Sequence, residues 1–94
     1  MMKVRNMTSP RGNKVANQFI ITDNHNNEIF QSYNTVIAMR NDSGIVYLDK
    51  YSWDYSVTTG KYRNEFLGEG IAETRKKIDS GEYILTDLNS EGGV

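Results

Sequence analysis

IVYLDKYSWDYSVTTGKYRNEFLG, residues 45–68, is the stretch whose reading decides the fold. Its first half has the period of a strand. Ile45, Tyr47, Asp49, Tyr51, Trp53, Tyr55 and Val57 fall on one face of an extended chain, and Val46, Leu48, Lys50, Ser52, Asp54 and Ser56 on the other. Both faces compete for the core up to about residue 50 and separate cleanly beyond it, so a bend or bulge over 50–53 is expected. After Val57 the period changes. Thr58-Thr59-Gly60 can start a helix, Tyr62 and Phe66 lie four residues apart on one helical face, Leu67 extends that stripe, and Gly68 stands where a helix stops.

Working outward towards the C-terminus, residues 71–79 read as a second helix with Ile71, Arg75 and Ile78 on a common side. Lys76 and Lys77 sit near its C-terminal end, where positive charge suits the dipole, with Gly81 just beyond. Residues 82–88 alternate as a last strand. On the N-terminal side, Ser9-Pro10-Arg11-Gly12-Asn13 is a turn that a short strand over 3–7 precedes. Phe19, Ile20 and Ile21 mark a strand over 18–22 that ends in Asp23-Asn24-His25-Asn26-Asn27, a hairpin connection. The extended stretch 28–33 leads through Asn34 into Thr35-Val36-Ile37-Ala38-Met39, Asn41-Asp42-Ser43-Gly44 turns again, and 45–51 is a long strand. Such short connections predict an antiparallel meander. The expected fold is therefore α+β: a small antiparallel sheet of four or five strands, with two short helices on one face before the last strand. One domain spans 3–89, and residues 1–2 and 90–94 are expected to be flexible ends.

A chain of 94 residues supports one core. It buries roughly 60–70% of its unfolded surface, enough to fold alone with little stability to spare. With no cysteine, a disulfide framework, a thiolate metal site and a cysteine nucleophile are all excluded, and a cytoplasmic location is the natural expectation. No apolar run has the length of a membrane span, so no membrane association is expected. Eleven basic against twelve acidic residues argue against a strong sequence-indifferent grip on nucleic acid. The mean hydropathy of −0.63 is polar. Ten aromatic residues, six of them Tyr, nevertheless make the chain too aromatic for disorder.

The densest gathering of groups able to bind something is Tyr55-Ser56-Val57-Thr58-Thr59-Gly60-Lys61-Tyr62-Arg63. Hydroxyls of Ser56, Thr58 and Thr59, the approachable backbone at Gly60 and the cations Lys61 and Arg63 at a helix N-terminus are the parts of an anion site, since first-turn amides have no intrahelical partner. The plainer reading is that Thr58 or Thr59 is an N-cap and that Lys61 and Arg63 are solvated. The Gly-Lys pair is not a P-loop, because the first glycine of that spacing is Tyr55 here. Trp53, Tyr55 and Tyr62 are candidate stacking residues for a base. For the stripe of Tyr47, Tyr51, Trp53 and Tyr55 the plainer reading is core or half-buried packing, since aromatics are the chief fillers of small cores. His25, the lone histidine, stands in an Asn-rich turn. Asp49 with Asp54, and Glu65 with Glu69, read as surface charges rather than acid–base pairs. No metal site, no cofactor and no enzymatic activity are expected from this inventory.

Residues 30–38 (FQSYNTVIA) and 53–68 (WDYSVTTGKYRNEFLG) together resemble a pattern found in short uncharacterised proteins of phages and prophage-bearing bacteria. The pattern runs SYxTxIA, a turn, a strand, then YSxTT, a basic residue, an aromatic or His, and FL. With Asn17-Gln18-Phe19-Ile20-Ile21 and Ser80-Gly81-Glu82-Tyr83, the resemblance covers most of residues 3–89. Relatives often carry a histidine where Tyr62 stands, so a mechanism needing an imidazole there is in doubt for this chain. What the resemblance implies is a setting: a phage-type accessory protein that binds and blocks a host or defence protein, possible anti-defence activity included, by analogy of context. A nucleotide or nucleic-acid binding module with a phosphate site over 56–63 is the alternative.

Overall fold

The computed structural model describes residues 2–90. Six strands and two helices follow one another as β1 (Lys3–Thr8), β2 (Lys14–Thr22), β3 (Glu28–Ser32), β4 (Thr35–Arg40), β5 (Val46–Asp49), α1 (Val57–Leu67), α2 (Ile71–Asp79) and β6 (Tyr83–Thr86). The fold is α+β, with both helices before the last strand. One sheet contains all six described strands in chain order, where the sequence suggests four or five. The first four pairings are antiparallel and the last, β5 with β6, is parallel. Only a long crossover can return a chain parallel to its starting strand, and the two helices are that crossover.

Turn chemistry sets the meander. Gly12 (φ 83°) closes the β1–β2 turn, where the Ser9 amide donates to the Asn13 carbonyl at 2.7 Å. The Asp23 carboxylate organises the β2–β3 turn, accepting from the amides of His25 and Asn27 and from the Asn27 side chain. Asn41 does the same before β5 through the amides of Ser43 and Ile45.

The register sorts the side chains into two faces. Ile20, Phe30, Ala38 and Leu48 stand in one cross-strand row. All four are buried beneath the helices, where Tyr62, Phe66 and Leu67 of α1 and Ile78 of α2 pack on the same core. A bulge opposite Phe30 and Gln31 turns Ile37 inward beside Ala38. Phe66 stacks on Phe30 with ring centroids 6.0 Å apart. Arg40 lies 4.8 Å above the Phe66 ring and donates to the Phe66 carbonyl, a last-turn group with no intrahelical donor.

Among the described residues no helix lies on the opposite face. Val4, Ile21, Ile29, Met39, Tyr47 and Ile84 form one continuous row across all six strands. Val4 at 61% and Ile84 at 42% are exposed at the two edges, and Ile21, Ile29, Met39 and Tyr47 between them are half-buried. The adjoining row of Asn6, Phe19, Gln31 and Val36 is likewise half-buried and uncharged.

Three expectations need correction. The strand expected over 45–51 ends at Asp49, and residues 50–55 leave the sheet as turns. The aromatic stripe is therefore no strand face: Tyr51 is 73% and Tyr55 52% exposed, whereas Trp53 is half-buried. Asp49 is not a surface charge. The residue is 2% exposed, and its carboxylate accepts from the Ser52 hydroxyl and from the Leu88 amide at 2.9 Å, which pins the turn to the segment after β6. Burial works to raise its pKa, yet these donors together hold it below the ordinary carboxylate value. Of the ends expected to be flexible, residues 1 and 91–94 lie outside the described residues. Met2 is exposed, and the Ser90 amide donates to Asp87 at 3.0 Å.

Candidate functional site

Residues 53–63 turn from the end of β5 into α1. Ser56, in extended backbone (φ −150°, ψ 159°), is the N-cap: its hydroxyl accepts from the Thr59 amide at 3.1 Å. Neither Thr58 nor Thr59 caps the helix. The helix opens one residue before Thr58, and the Thr59 hydroxyl is turned into the protein, 3.0 Å from the Ser32 hydroxyl in β3. At 1% exposure, Thr59 faces the sheet rather than any ligand. Gly68 ends α1 with φ 72°, its amide bonded to the Asn64 carbonyl at 2.8 Å.

Arg63 departs most from expectation. Far from solvated, it is 2% exposed, the largest fully buried side chain among the described residues. One guanidinium nitrogen, Nη1, donates to the Trp53 carbonyl at 2.7 Å and to Asp54 Oδ1 at 3.1 Å, and Nη2 donates to Asn64 Oδ1 at 2.9 Å. The group also sits 5.4 Å from the Trp53 ring centroid, while its Nε finds no partner. Gly60 lies against it: a Cβ there would stand 3.6 Å from Nη2. Asp54 reaches α2 as well, through Oδ2 and the Arg75 guanidinium at 3.1 Å. Arg63 is thus a clamp that ties the 50–55 turns to α1, and Asp54 extends the tie to α2.

What remains outside is an open groove of about 710 Å³ beside the start of α1. It is lined by Asp54, Tyr55, Ser56, Val57, Gly60, Lys61, Arg63, Asn64, Ile71 and Arg75. Of the residues expected to form a site, Tyr55, Ser56, Gly60, Lys61 and Arg63 are gathered there. Thr58 is exposed without lining the groove, Trp53 lies half-buried under Arg63, and Tyr62 is buried at 6% exposure in the core. Tyr62 is therefore unavailable for stacking. Asp54, Val57 and Asn64 line it too, outside the expected set, and so do Ile71 and Arg75 of α2. The sequence signal of these last two was the shared side of the second helix, which gave no hint of a neighbour. Val57 stands 92% exposed at the first turn of α1, an apolar side chain that none of the described residues covers. The charges of Lys61, Arg63 and Arg75 against Asp54 leave the groove positive.

Glu69, also expected at the surface, has a side chain only 8% exposed. It accepts from Lys77 Nζ at 2.7 Å, from the Thr74 hydroxyl at 2.6 Å and from the Tyr83 hydroxyl at 2.9 Å, joining the α1–α2 connection to β6. Burial opposes the charged form, but these donors hold its pKa below the ordinary value and push that of Lys77 up. Gln18, buried next to Ser32 in the sheet register, makes no hydrogen bond through its amide. No group of three or more His, Cys, Asp or Glu among the described residues is placed to hold a metal ion, and no described helix is long and apolar enough to cross a membrane.

The model of a family described as a family of unknown function (DUF8033) matches residues 2–83. No curated protein and no solved structure matches the chain.

Proposed function

The chain belongs to this family of unknown function, and we propose that it acts without catalysis, by holding a segment of a partner protein in the groove beside α1. The observation that carries this reading is the 92% exposure of Val57, flanked by half-exposed Tyr55 and by the cations Lys61 and Arg75. Tyrosine and arginine are the usual anchors of a protein interface, and an uncovered apolar side chain beside them adds area to bury. The polar groups of the groove are engaged in holding its shape: Ser56 caps α1, and Asp54 divides its oxygens between Arg63 and Arg75. What they offer a partner is a formed surface with surplus positive charge, suited to a segment that carries carboxylates beside an apolar side chain. In the phage-like setting that residues 30–38 and 53–68 resemble, that partner is a host or defence protein met in the cytoplasm, and stoichiometric binding blocks it.

Capture from host lysate, with the retained protein identified and then titrated in purified form, tests the proposal. Val57→Glu combined with Lys61→Glu is expected to weaken the purified pair at least tenfold, while Met39→Lys on the other face leaves it unchanged. Retention that ignores the groove variant refutes the site, and no retention above background together with no defence phenotype refutes the role.

A nucleotide or nucleic-acid ligand is the second reading, favoured by the meeting of Tyr55, Ser56 and Lys61 in one groove. Thr59 and Tyr62 are turned inward and Arg63 is bonded on three sides, so phosphate would rest on Lys61 and the first amides of α1, with Tyr55 beside it. Trp53 fluorescence titrated with nucleotides and oligonucleotides is expected to respond under this reading, and Lys61→Ala to weaken the response. A flat signal through millimolar ligand removes it.

A further inference from the structure

We propose that the open face of the sheet is a self-association surface, against which a second copy of this chain packs face to face. The inference does not depend on the groove, which lies on the helical side of the sheet.

An antiparallel sheet with one face in water normally presents polar side chains there. Here the register places Val4, Ile21, Ile29, Met39, Tyr47 and Ile84 side by side across the whole sheet. The row beside it adds Phe19 and Val36 and no charge. Twenty-three charged residues are distributed over this chain, eleven basic and twelve acidic, yet both rows are free of them. Absence of charge at the centre of a part-exposed apolar patch is the compositional mark of an interface.

A second copy fits for two reasons. The first is size. Six strands spaced about 4.8 Å apart, averaging about six residues of about 3.3 Å rise, make a face of about 24 by about 19 Å. Joining two such faces removes at least about 900 Å² by projection alone. The relief of the side chains brings the total towards about 1,200 Å², where specific interfaces begin. The second is charge. A row without charge meets its own copy without repulsion, and a net charge of −1 per chain adds little at longer range. Two sheets stacked in this way are about 10 Å apart, with inner side chains interdigitated as in a sandwich. A two-fold arrangement also closes the assembly at two copies, with both α1 grooves facing outward.

Sedimentation velocity over about 1–500 µM tests the inference. The wild-type chain is expected to shift from 10.7 kDa towards twice that mass. Met39→Lys, at the centre of the row, is expected to raise the dimer dissociation constant at least tenfold with the circular dichroism spectrum unchanged. Ile84→Lys, at an already exposed edge position, provides a variant that cannot disturb the core and is expected to weaken the dimer in the same direction. Val57→Lys on the helical side should leave it intact. A wild-type chain that stays monomeric at 500 µM overturns the inference. So does a dimer that survives both Met39→Lys and Ile84→Lys, which would point to pairing along the β1 edge instead.

Discussion

Replacing Arg63 by leucine tests whether this cation belongs to the architecture or to a ligand. The substitution keeps an apolar stem over Gly60 and removes the donors to the Trp53 carbonyl, Asp54 and Asn64. Each hydrogen bond to a charged group contributes about 1.5–3 kcal/mol, offset in part by releasing a guanidinium whose Nε is buried without a partner. Asp54 retains Arg75, so only one of its two ion pairs is lost. The net cost expected is about 3–5 kcal/mol, less than the sum of the three bonds because Asp54, 36% exposed, keeps Arg75. At 0.05–0.15 kcal/mol per residue, a domain of this size holds only about 5–14 kcal/mol. Urea titration followed by Trp53 fluorescence and by far-ultraviolet circular dichroism measures the loss. Thermal midpoints should fall by at least about 12 °C. Combining Arg63→Leu with Asp54→Asn should give a loss smaller than the sum of the two single losses, because the two side chains share one contact. A loss below about 1 kcal/mol would refute the clamp and return Arg63 to the list of groups free to hold an anion.

Two further outcomes are expected. Gly60→Ala should stabilise the protein by about 0.5–1 kcal/mol in the same urea titration, because a Cβ would meet Arg63 only at ordinary contact distance, 3.6 Å, and glycine is a poor helix former; destabilisation would show that Arg63 has to move. Glu69 and Asp49 bind protons less readily in the folded than in the unfolded chain, so their contribution is complete above about pH 5 and is lost as pH falls through folded values lying below the ordinary 4.5 and 3.8. Stability measured between pH 3 and pH 6 should decline at the acid end, and Glu69→Gln should flatten the decline; an unchanged slope would place the acid sensitivity elsewhere.

The helix stops were legible because they are local. Gly68 and Gly81 take left-handed backbone, at φ 72° and 83°, where glycine has no steric penalty. The cap of α1 was misplaced because Thr58 and Thr59 have the right chemistry, whereas what turns Thr59 inward is Ser32, 27 residues earlier. Asp49 ends β5 by binding Ser52 and an amide 39 residues later, so the aromatic run after it kept its strand-like look on paper. Burial of Arg63 rests on Trp53 and Asp54 folding back over α1, which no charge scale anticipates. Phe19-Ile20-Ile21, Ile29-Phe30 and Val46-Tyr47-Leu48 are unbroken apolar runs, the pattern of strands covered on both sides. In this fold helices cover only one of those sides.

The parallel pairing of β5 with β6 also bears on how the chain comes to be folded. Strands β1 to β5 can zip together from neighbouring hairpins, at low entropic cost, while the rest of the chain is still being made. Until Tyr83–Thr86 arrives, the far side of β5 presents bare amides and carbonyls from the middle of an apolar strand. A product terminated anywhere between residues 50 and 82 would keep that edge open, as a ready template for strands of other chains. The four residues of β6 therefore cover the flank of β5 and become the edge of the sheet in its place, so the open flank of β5 lasts only until they are delivered.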